Sequence, residues 1–230
     1  MIEEPPLLRI LGVGSRNRPT QAQIKAFEGA QTGHVCDAMG GIGALDPGIK
    51  PLPGVPFALC GPALTADCGP ADILALLAAL TEIEAGDVLV QATSGWLGCA
   101  GIGDMVSGMA KNGGAAGVVT DGCARDLPGI QALDFPLFCA GLNPNSPYGK
   151  GPGSVGHPVQ IGGRQVSSGD MVIGDQDGVV VVPFAQIDAV LEALNGVRAA
   201  ETELEAKVAA GLVSSDDIRD LVASDATARS

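Results

Sequence analysis

The chain has 230 residues, of which 46% are hydrophobic and 17% charged, and its formal net charge is −13 at pH 7. This length and apolar content suffice for a sizeable core, which excludes a disordered chain. The 13 lysines and arginines form no cluster, so the acidity argues against nucleic acid and anionic membranes as partners.

The N-terminal stretch MIEEPPLLRI carries neither a basic segment nor a long apolar run. It therefore predicts no signal peptide, and no other stretch has transmembrane length. The cysteines form no C-x-x-C pair and lie in apolar or glycine-rich surroundings, which predicts buried thiols in a cytoplasmic protein. They are Cys36, Cys60, Cys68, Cys99, Cys123 and Cys139.

The first part of the chain predicts short helices around one strand. Thr20 is a candidate N-cap for the first helix, and helical propensity then falls through the glycines and prolines of residues 33–52. Asp72 stands near the first turn of the second helix, either as a first-turn charge or as a cleft residue. The expected elements are a helix at 20–30, a strand at 57–68 broken at Gly61-Pro62, and a helix at 70–80.

A β–α–β rhythm follows, and the chain then becomes rich in strands. The expected elements are a strand at 86–93, a helix at 103–114, strands at 115–122 and 135–141, and a long loop at 142–154. Two hairpins follow at 157–170 and 171–183, and a helical segment at 184–210 is interrupted at Gly196. We therefore predict one α/β domain over residues 1–230, with a C-terminal helical arm at about 184–210.

Arg125 and Asp126 stand side by side where a buried strand is expected to end. One interpretation is an exposed ion pair, with Asp126 also capping a short helix that has Pro128 in its first turn. The other is a functional pair: a carboxylate ligand for a divalent metal beside a guanidinium. Together they suit a 2-oxo acid, whose carboxylate and keto oxygens chelate a metal.

Asp104 opens the 103–114 helix, either as its N-cap or as part of a site where first-turn amides meet an anion. Twenty residues separate it from Arg125, about one helix and one strand. A right-handed β–α–β unit of that length returns the next strand end to the side where the helix began. We therefore expect Asp104, Arg125 and Asp126 to face one crevice.

This pattern, in GDMVSGMAKNGGAAGVVTDGCARD, resembles the signature of the class II pyruvate aldolases. These are the 4-hydroxy-4-methyl-2-oxoglutarate / 4-carboxy-4-hydroxy-2-oxoadipate aldolases, which share a fold with the RraA proteins, regulators of ribonuclease E. The likeness spans roughly residues 30–210 and includes SGDMVIGDQDGVVVVP. It implies a β/β/α swivelling-type fold, assembled as a homotrimer or a hexamer with the active site between subunits.

The resemblance also implies roles for the site residues. Asp126 would bind a divalent cation, Mg²⁺ or Mn²⁺, directly, and Asp104 would reach it through water. Arg125 would contact the substrate and stabilise the pyruvate enolate. The pyruvyl carboxylate would meet the backbone amides of Gly103, Asp104, Met105 and Val106. The implied reaction cleaves a 4-hydroxy-2-oxo diacid to pyruvate and a second 2-oxo acid, and oxaloacetate decarboxylation would use the same enolate.

A carboxylate from the C-terminal helix of a neighbouring subunit assists such aldolases by deprotonating the substrate hydroxyl through water. The candidates are Glu201, Glu203 and Glu205, with Glu201 preferred on approximate position only. A solvated helix face is the simpler interpretation of any one of them. Two further interpretations stay open: an RraA-like regulator that binds ribonuclease E or another protein without catalysis, and an enzyme acting on a different 2-oxo acid.

Overall fold

The computed structural model describes residues 6–228, so half of the N-terminal stretch used for the signal-peptide prediction lies outside the described residues. The helices are α1 Gln21–Phe27, α2 Thr32–Ala38, α3 Leu74–Ala79, α4 Asp104–Asn112, α5 Leu127–Ala132, α6 Ile187–Ala209 and α7 Asp216–Ala223. The strands are β1 Leu8–Ile10, β2 Lys50–Pro51, β3 Leu59–Asp67, β4 Val88–Ala92, β5 Ala100–Ile102, β6 Gly117–Thr120, β7 Cys123–Ala124, β8 Leu137–Cys139, β9 Gly141–Leu142, β10 Gly153–Val155, β11 Val159–Ile161, β12 Arg164–Val166, β13 Met171–Asp175 and β14 Gly178–Val182. No helix among residues 6–228 is both long and apolar enough to cross a bilayer.

The main sheet has the strand order β1-β10-β3-β4-β6-β8-β2, and β13 and β14 extend it from β3. Its central strands β3, β4, β6 and β8 are parallel, which accounts for their nearly continuous apolar sequences. A second, small parallel sheet, β5-β7-β9, continues beyond the ends of β4, β6 and β8. The chain is thus the mixed α/β structure that was predicted, and the β5-β7-β9 sheet carries the candidate site.

Three apolar clusters hold these layers together. Helices α3, α4 and α5 cover one face of the main sheet, and the β11–β12 hairpin covers the other. Neighbouring residues of β4 alternate between these two clusters, as the period of a strand requires. Helices α1, α2 and α6 pack on β13 and β14 in the third cluster.

The helix prediction at residues 20–30 is confirmed, whereas α2 was not predicted. Thr20 caps α1 and forms a capping box with Gln23. Helix α2 forms within the glycine-rich segment because a distant side chain stabilises its start. The carboxylate of Asp175 accepts hydrogen bonds from the backbone N–H and hydroxyl of Thr32, both at 2.8 Å. That contact spans 143 residues and leaves no local sequence signal.

The predicted break at Gly61-Pro62 is wrong, because β3 runs through both residues. The strand changes partner there: residues 59–62 pair with β13, and residues 63–67 pair with β4. A Cβ at Gly61 would collide with the carbonyl oxygen of Gly86, so glycine permits this close approach.

The predicted interruption at Gly196 is also wrong, because α6 runs unbroken for 23 residues. Its buried residues, Ile187, Val190 and Leu194, all precede Gly196. A glycine inside a helix costs about 1 kcal/mol relative to alanine, which is too little to break a helix anchored by such packing. Helix α7 follows it and was not predicted.

The cysteine prediction holds for four residues: Cys68, Cys99, Cys123 and Cys139 are buried, whereas Cys36 and Cys60 are half-buried. Burial raises the pKa of the Cys60 and Cys68 thiols to about 12. Both stay protonated at neutral pH and act as small apolar side chains.

Candidate active site

Asp104, Arg125 and Asp126 meet at one cavity, as the β–α–β spacing predicted. The cavity has a volume of about 100 Å³ and opens at the ends of β5 and β7. Its walls are mainly apolar or glycine residues, and Arg125 is the one cation among them. The lining residues are Ile73, Ala100, Gly101, Ile102, Gly103, Asp104, Met105, Val106, Arg125, Asp126 and Pro147.

The pairing of β5 with β7 brings the charged side chains together. The backbone N–H of Arg125 donates to the carbonyl of Ile102 at 3.0 Å, which fixes the end of β7 beside the start of α4. A Cβ at Gly103 would lie 2.7 Å from Oδ2 of Asp126, and one at Gly129 would lie 2.7 Å from Cβ of Asp104. Each carboxylate therefore packs against a glycine that leaves room for it.

Asp126 adopts an unusual backbone conformation, with φ of 60° and ψ of 42° in the left-handed region. Aspartate tolerates this region better than most residues, yet strain of this kind costs of order 1 kcal/mol. Asp126 occupies the N-cap position of α5, but within the described chain its side chain makes no capping hydrogen bond. The capping role is therefore wrong, and the carboxylate faces Arg125 instead.

Asp104 is the first residue of α4 rather than its N-cap, which is Gly103. Its Oδ1 accepts a hydrogen bond from the backbone N–H of Met105 at 2.7 Å. One of the first-turn amides assigned by resemblance to the substrate carboxylate is thus engaged by Asp104 in this structure. The Met105 side chain is 69% exposed at the cavity mouth.

Arg125 is held from two sides. Its Nε lies 3.3 Å from Oδ2 of Asp126, so the expected ion pair forms, and its Nη1 donates to the Ser146 hydroxyl at 2.8 Å. The Arg125 side chain is 37% exposed, so it is oriented by these contacts and remains accessible to solvent. Ser146 and Gly129 were not identified from the sequence, because neither belongs to a recognisable motif.

Two carboxylates flank the cavity, and oxygen donors of this kind suit Mg²⁺ or Mn²⁺. Among residues 6–228, no group of three or more histidine, cysteine or acidic side chains is arranged to hold a metal alone. Mg²⁺ commonly keeps several waters and takes only one or two carboxylates, with substrate oxygens completing its coordination. The pair Asp104 and Asp126 therefore fits such an ion.

Glu201 does not line the cavity of its own chain. It lies half-buried on α6 beyond Gly196, and Glu203 is paired with Lys207 at 2.7 Å. Asp72, considered above as a first-turn charge or a cleft residue, is neither in the first turn of α3 nor in the lining of this cavity. It precedes the helix, and its Oδ1 accepts a hydrogen bond from the Leu74 amide at 2.7 Å.

Known proteins resemble this chain over most of its length. The family model RraA-like, described as Aldolase/RraA, matches residues 32–181. A protein of Halalkalibacterium halodurans named "Putative 4-hydroxy-4-methyl-2-oxoglutarate aldolase" is 39% identical over 169 residues, which cover 74% of this chain and 80% of that protein.

Solved structures share the fold. A protein from Pseudomonas syringae pv. tomato str. DC3000 has a TM-score of 0.76 and 27% identity, over 86% of this chain and 93% of its own. Streptomyces coelicolor RraAS2, described as an unusual member of the RNase ES inhibitor RraA protein family, has a TM-score of 0.72 and 28% identity, over 83% of this chain and 100% of its own. The protein therefore belongs to the RraA-like family, Aldolase/RraA, and has its fold.

Proposed function

We propose that the protein is a divalent-metal-dependent class II aldolase that cleaves a 4-hydroxy-2-oxo diacid to pyruvate and a second 2-oxo acid. The observation that carries the proposal is the convergence of Arg125, Asp126 and Asp104 on one small cavity. A purely structural ion pair requires neither the strained backbone of Asp126 nor a second carboxylate across the cavity.

The reaction places negative charge where Arg125 stands. Removal of the C4 hydroxyl proton breaks the C3–C4 bond, and its electron pair passes into the pyruvyl fragment as an enolate. A proton then adds at C3 to give pyruvate. A guanidinium beside the enolate oxygen acts mainly on the transition state, where stabilisation raises turnover.

Asp126 and Asp104 would hold the divalent cation, the former directly and the latter through water. When bound, the cation supplies Lewis-acid polarisation of the 2-oxo group. The start of α4, residues 103–106, would receive the pyruvyl carboxylate, since the first-turn amides of a helix and its dipole favour an anion. Loss of CO₂ from oxaloacetate yields the same enolate, so we propose decarboxylase activity as well.

We propose further that the site is completed in a homotrimer or hexamer, with Glu201 of a neighbouring subunit deprotonating the substrate hydroxyl through water. Two features support this assembly. Apolar side chains are exposed around the cavity, and few side chains of α6 beyond Gly196 pack against the body of their own chain. The exposed side chains include Met105 of the cavity lining, Met109 one helical turn further along α4, and Leu142, which pairs with Ala124 beside Arg125.

Pyruvate release tests the proposal. Wild type is assayed with 4-hydroxy-4-methyl-2-oxoglutarate, 4-carboxy-4-hydroxy-2-oxoadipate and oxaloacetate, with Mg²⁺, with Mn²⁺ and with EDTA. We expect metal-dependent turnover that falls at least about 100-fold in Asp126→Asn, because a lost metal ligand removes much of the charge stabilisation. Asp220→Asn, an exposed change on α7, is the matched control and should keep wild-type activity.

The second candidate is an RraA-like regulator that binds ribonuclease E or another protein without catalysis. The likeness to RraAS2 favours it. Folded, metal-loaded wild type that releases no pyruvate from any of the three substrates, yet binds and inhibits a ribonuclease E, would support this candidate. If the protein turns over only a different 2-oxo acid, the proposed metal site stands and the proposed substrate is wrong.

A further inference from the structure

The segment that closes one side of the cavity is a loop, residues 143–151, here called the strap. It carries Ser146, which contacts Arg125, and Pro147, which lines the cavity. We propose that Ser146 is a positioning residue that orients the Arg125 guanidinium, and that the strap is held in place for this purpose. The proposal rests on the proposed function, because it assigns the guanidinium its orientation toward the enolate.

The strap is fastened before Ser146 by the segment that leads into β5. The Asn143 side chain donates to the carbonyl of Leu97 at 2.8 Å, and the Asn145 side chain donates to that of Gly98 at 3.0 Å. The Ala100 amide in turn donates to the carbonyl of Asn145 at 3.0 Å. The position of Ser146 is therefore tied to the strand that forms the cavity floor.

After Ser146, the strap is fastened by the residues that precede α3. The Tyr148 amide donates to the carbonyl of Ala71 at 2.7 Å, and the Ile73 amide donates to that of Tyr148 at 2.9 Å. The buried carboxylate of Asp72 accepts from the amides of Lys150 and Gly151 at 2.7 and 3.0 Å. Ser146 and Pro147 are thus a short span between two fixed ends.

The fixed position of Ser146 determines the orientation of the Arg125 guanidinium. The other partner of Arg125 is Asp126, the proposed metal ligand, which contacts Nε. The Ser146 hydroxyl accepts a hydrogen bond from Nη1 at 2.8 Å. The plane of the guanidinium is therefore defined by two contacts on different nitrogens. Without the hydroxyl, the side chain keeps one contact and can rotate about it.

The test compares Ser146→Ala with two matched changes in the Mg²⁺-loaded protein. Ser146→Thr keeps a hydroxyl at an exposed position, and Gly149→Ala alters the strap at a glycine whose added Cβ meets nothing within 4 Å. We expect Ser146→Ala to lower kcat about tenfold with little change in KM, because a hydrogen bond to a charged group is lost. The other two should stay within about twofold of wild type.

A double-mutant cycle separates positioning from a general structural effect. In an Arg125→Ala background, Ser146→Ala should cause no further loss, because it acts only through the guanidinium. An equal loss in both backgrounds, or no loss from Ser146→Ala alone, would overturn the proposal.

The affinity of the same four proteins for oxalate, a planar dianion shaped like the pyruvate enolate, is measured by calorimetry. This measurement tests the positioning role even if the protein does not catalyse the proposed reaction. If wild type is inactive but Ser146→Ala weakens oxalate binding only when Arg125 is present, the reaction is wrong and the positioning holds. Equal weakening in both backgrounds, or none in either, rejects the positioning as well.

Discussion

Gly129 lies in the first turn of α5, against the side chain of Asp104. Its φ is not in the left-handed region, so its backbone accepts any residue, and alanine would be the better helix former. What excludes a larger residue is the contact: an added Cβ would lie 2.7 Å from Cβ and 2.9 Å from Cγ of Asp104. This glycine determines where one of the two carboxylates of the site can stand.

We predict that Gly129→Ala lowers pyruvate release by at least about tenfold, because it displaces the carboxylate of Asp104, and a shift of a reacting group by about 1 Å is costly. The free energy of unfolding should change little, because the helix propensity gained by replacing glycine with alanine offsets part of the strain. The measurements are steady-state kinetics and urea unfolding of the same preparations.

Gly108→Ala in α4 is the control for this substitution. Its nearest neighbour would be Leu133 at 3.7 Å, an ordinary contact, so this variant should keep full activity and gain about 0.5–1 kcal/mol of stability. Full activity in Gly129→Ala would mean that the exact place of Asp104 does not matter for the reaction.

The charged residues of the site were predictable from the sequence, and their supports were not. The sequence predicted one helix and one strand between Asp104 and Arg125, and the structure has α4, β6 and the two-residue strand β7 there, so the return of the chain to the same end of the sheet was a local expectation. Ser146 and Gly129 reach the site only through long-range packing. The left-handed backbone of Asp126 likewise depends on the tertiary contacts that hold β7 and α5.

At the scale of elements, Asp72 joins the start of α3 to the strap. Burial raises the pKa of its carboxyl, but the backbone amides that donate to it lower that pKa more, so the net value lies below the ordinary 3.8. The ionised form is therefore favoured in the folded protein. Its contribution to stability is complete at pH values above 3.8 and is lost as the pH falls through the lower, folded-state pKa.

We predict that Asp72→Asn destabilises the protein by about 1–3 kcal/mol at pH 7, because an amide donor then faces two backbone donors. The difference between wild type and variant should shrink as the pH falls below 3.8, where the unfolded carboxyl binds a proton first. Urea unfolding at several pH values measures it. A difference that stays constant with pH would show that the charge of Asp72 contributes nothing.

The elements themselves were predicted where the pattern is local. The capping residue of α1 and the turn residues of the β11–β12 and β13–β14 hairpins lie within or next to those elements in the sequence. The errors arose where distant residues decide. The Asp175 carboxylate stabilises the first turn of α2 from 143 residues away. Strand β3 continues through Gly61-Pro62 because it changes its pairing partner there. Helix α6 continues through Gly196 because the residues before it pack against the body of the chain.

At the scale of the whole molecule, the C-terminal helices extend beyond the packed body of the chain. At about 1.5 Å per residue, the 23 residues of α6 extend roughly 35 Å, but its buried residues all lie before Gly196. Beyond that point α6, α7 and the connection between them expose apolar side chains, among them Leu204, Val208, Val213, Ile218 and Leu221. Exposure on this scale is expected of a surface that another molecule covers.

The proposed sharing of active sites between subunits predicts complementation between two inactive variants. Asp126→Asn lacks the proposed metal ligand but supplies Glu201, whereas Glu201→Gln lacks the proposed proton acceptor but supplies Asp126. Each should be nearly inactive alone, and hybrids made by co-expression should regain pyruvate release, because some interfaces then combine two intact halves.

Glu192→Gln, on the part of α6 that packs against the body, is the control and should keep wild-type activity. Sedimentation of each preparation checks that the variants still assemble, so that a failure to associate is not mistaken for a lost carboxylate. Assembled hybrids that stay inactive, or a fully active Glu201→Gln, would remove Glu201 from the site. The cavity would then have to perform the reaction with Asp104, Arg125 and Asp126 of one chain.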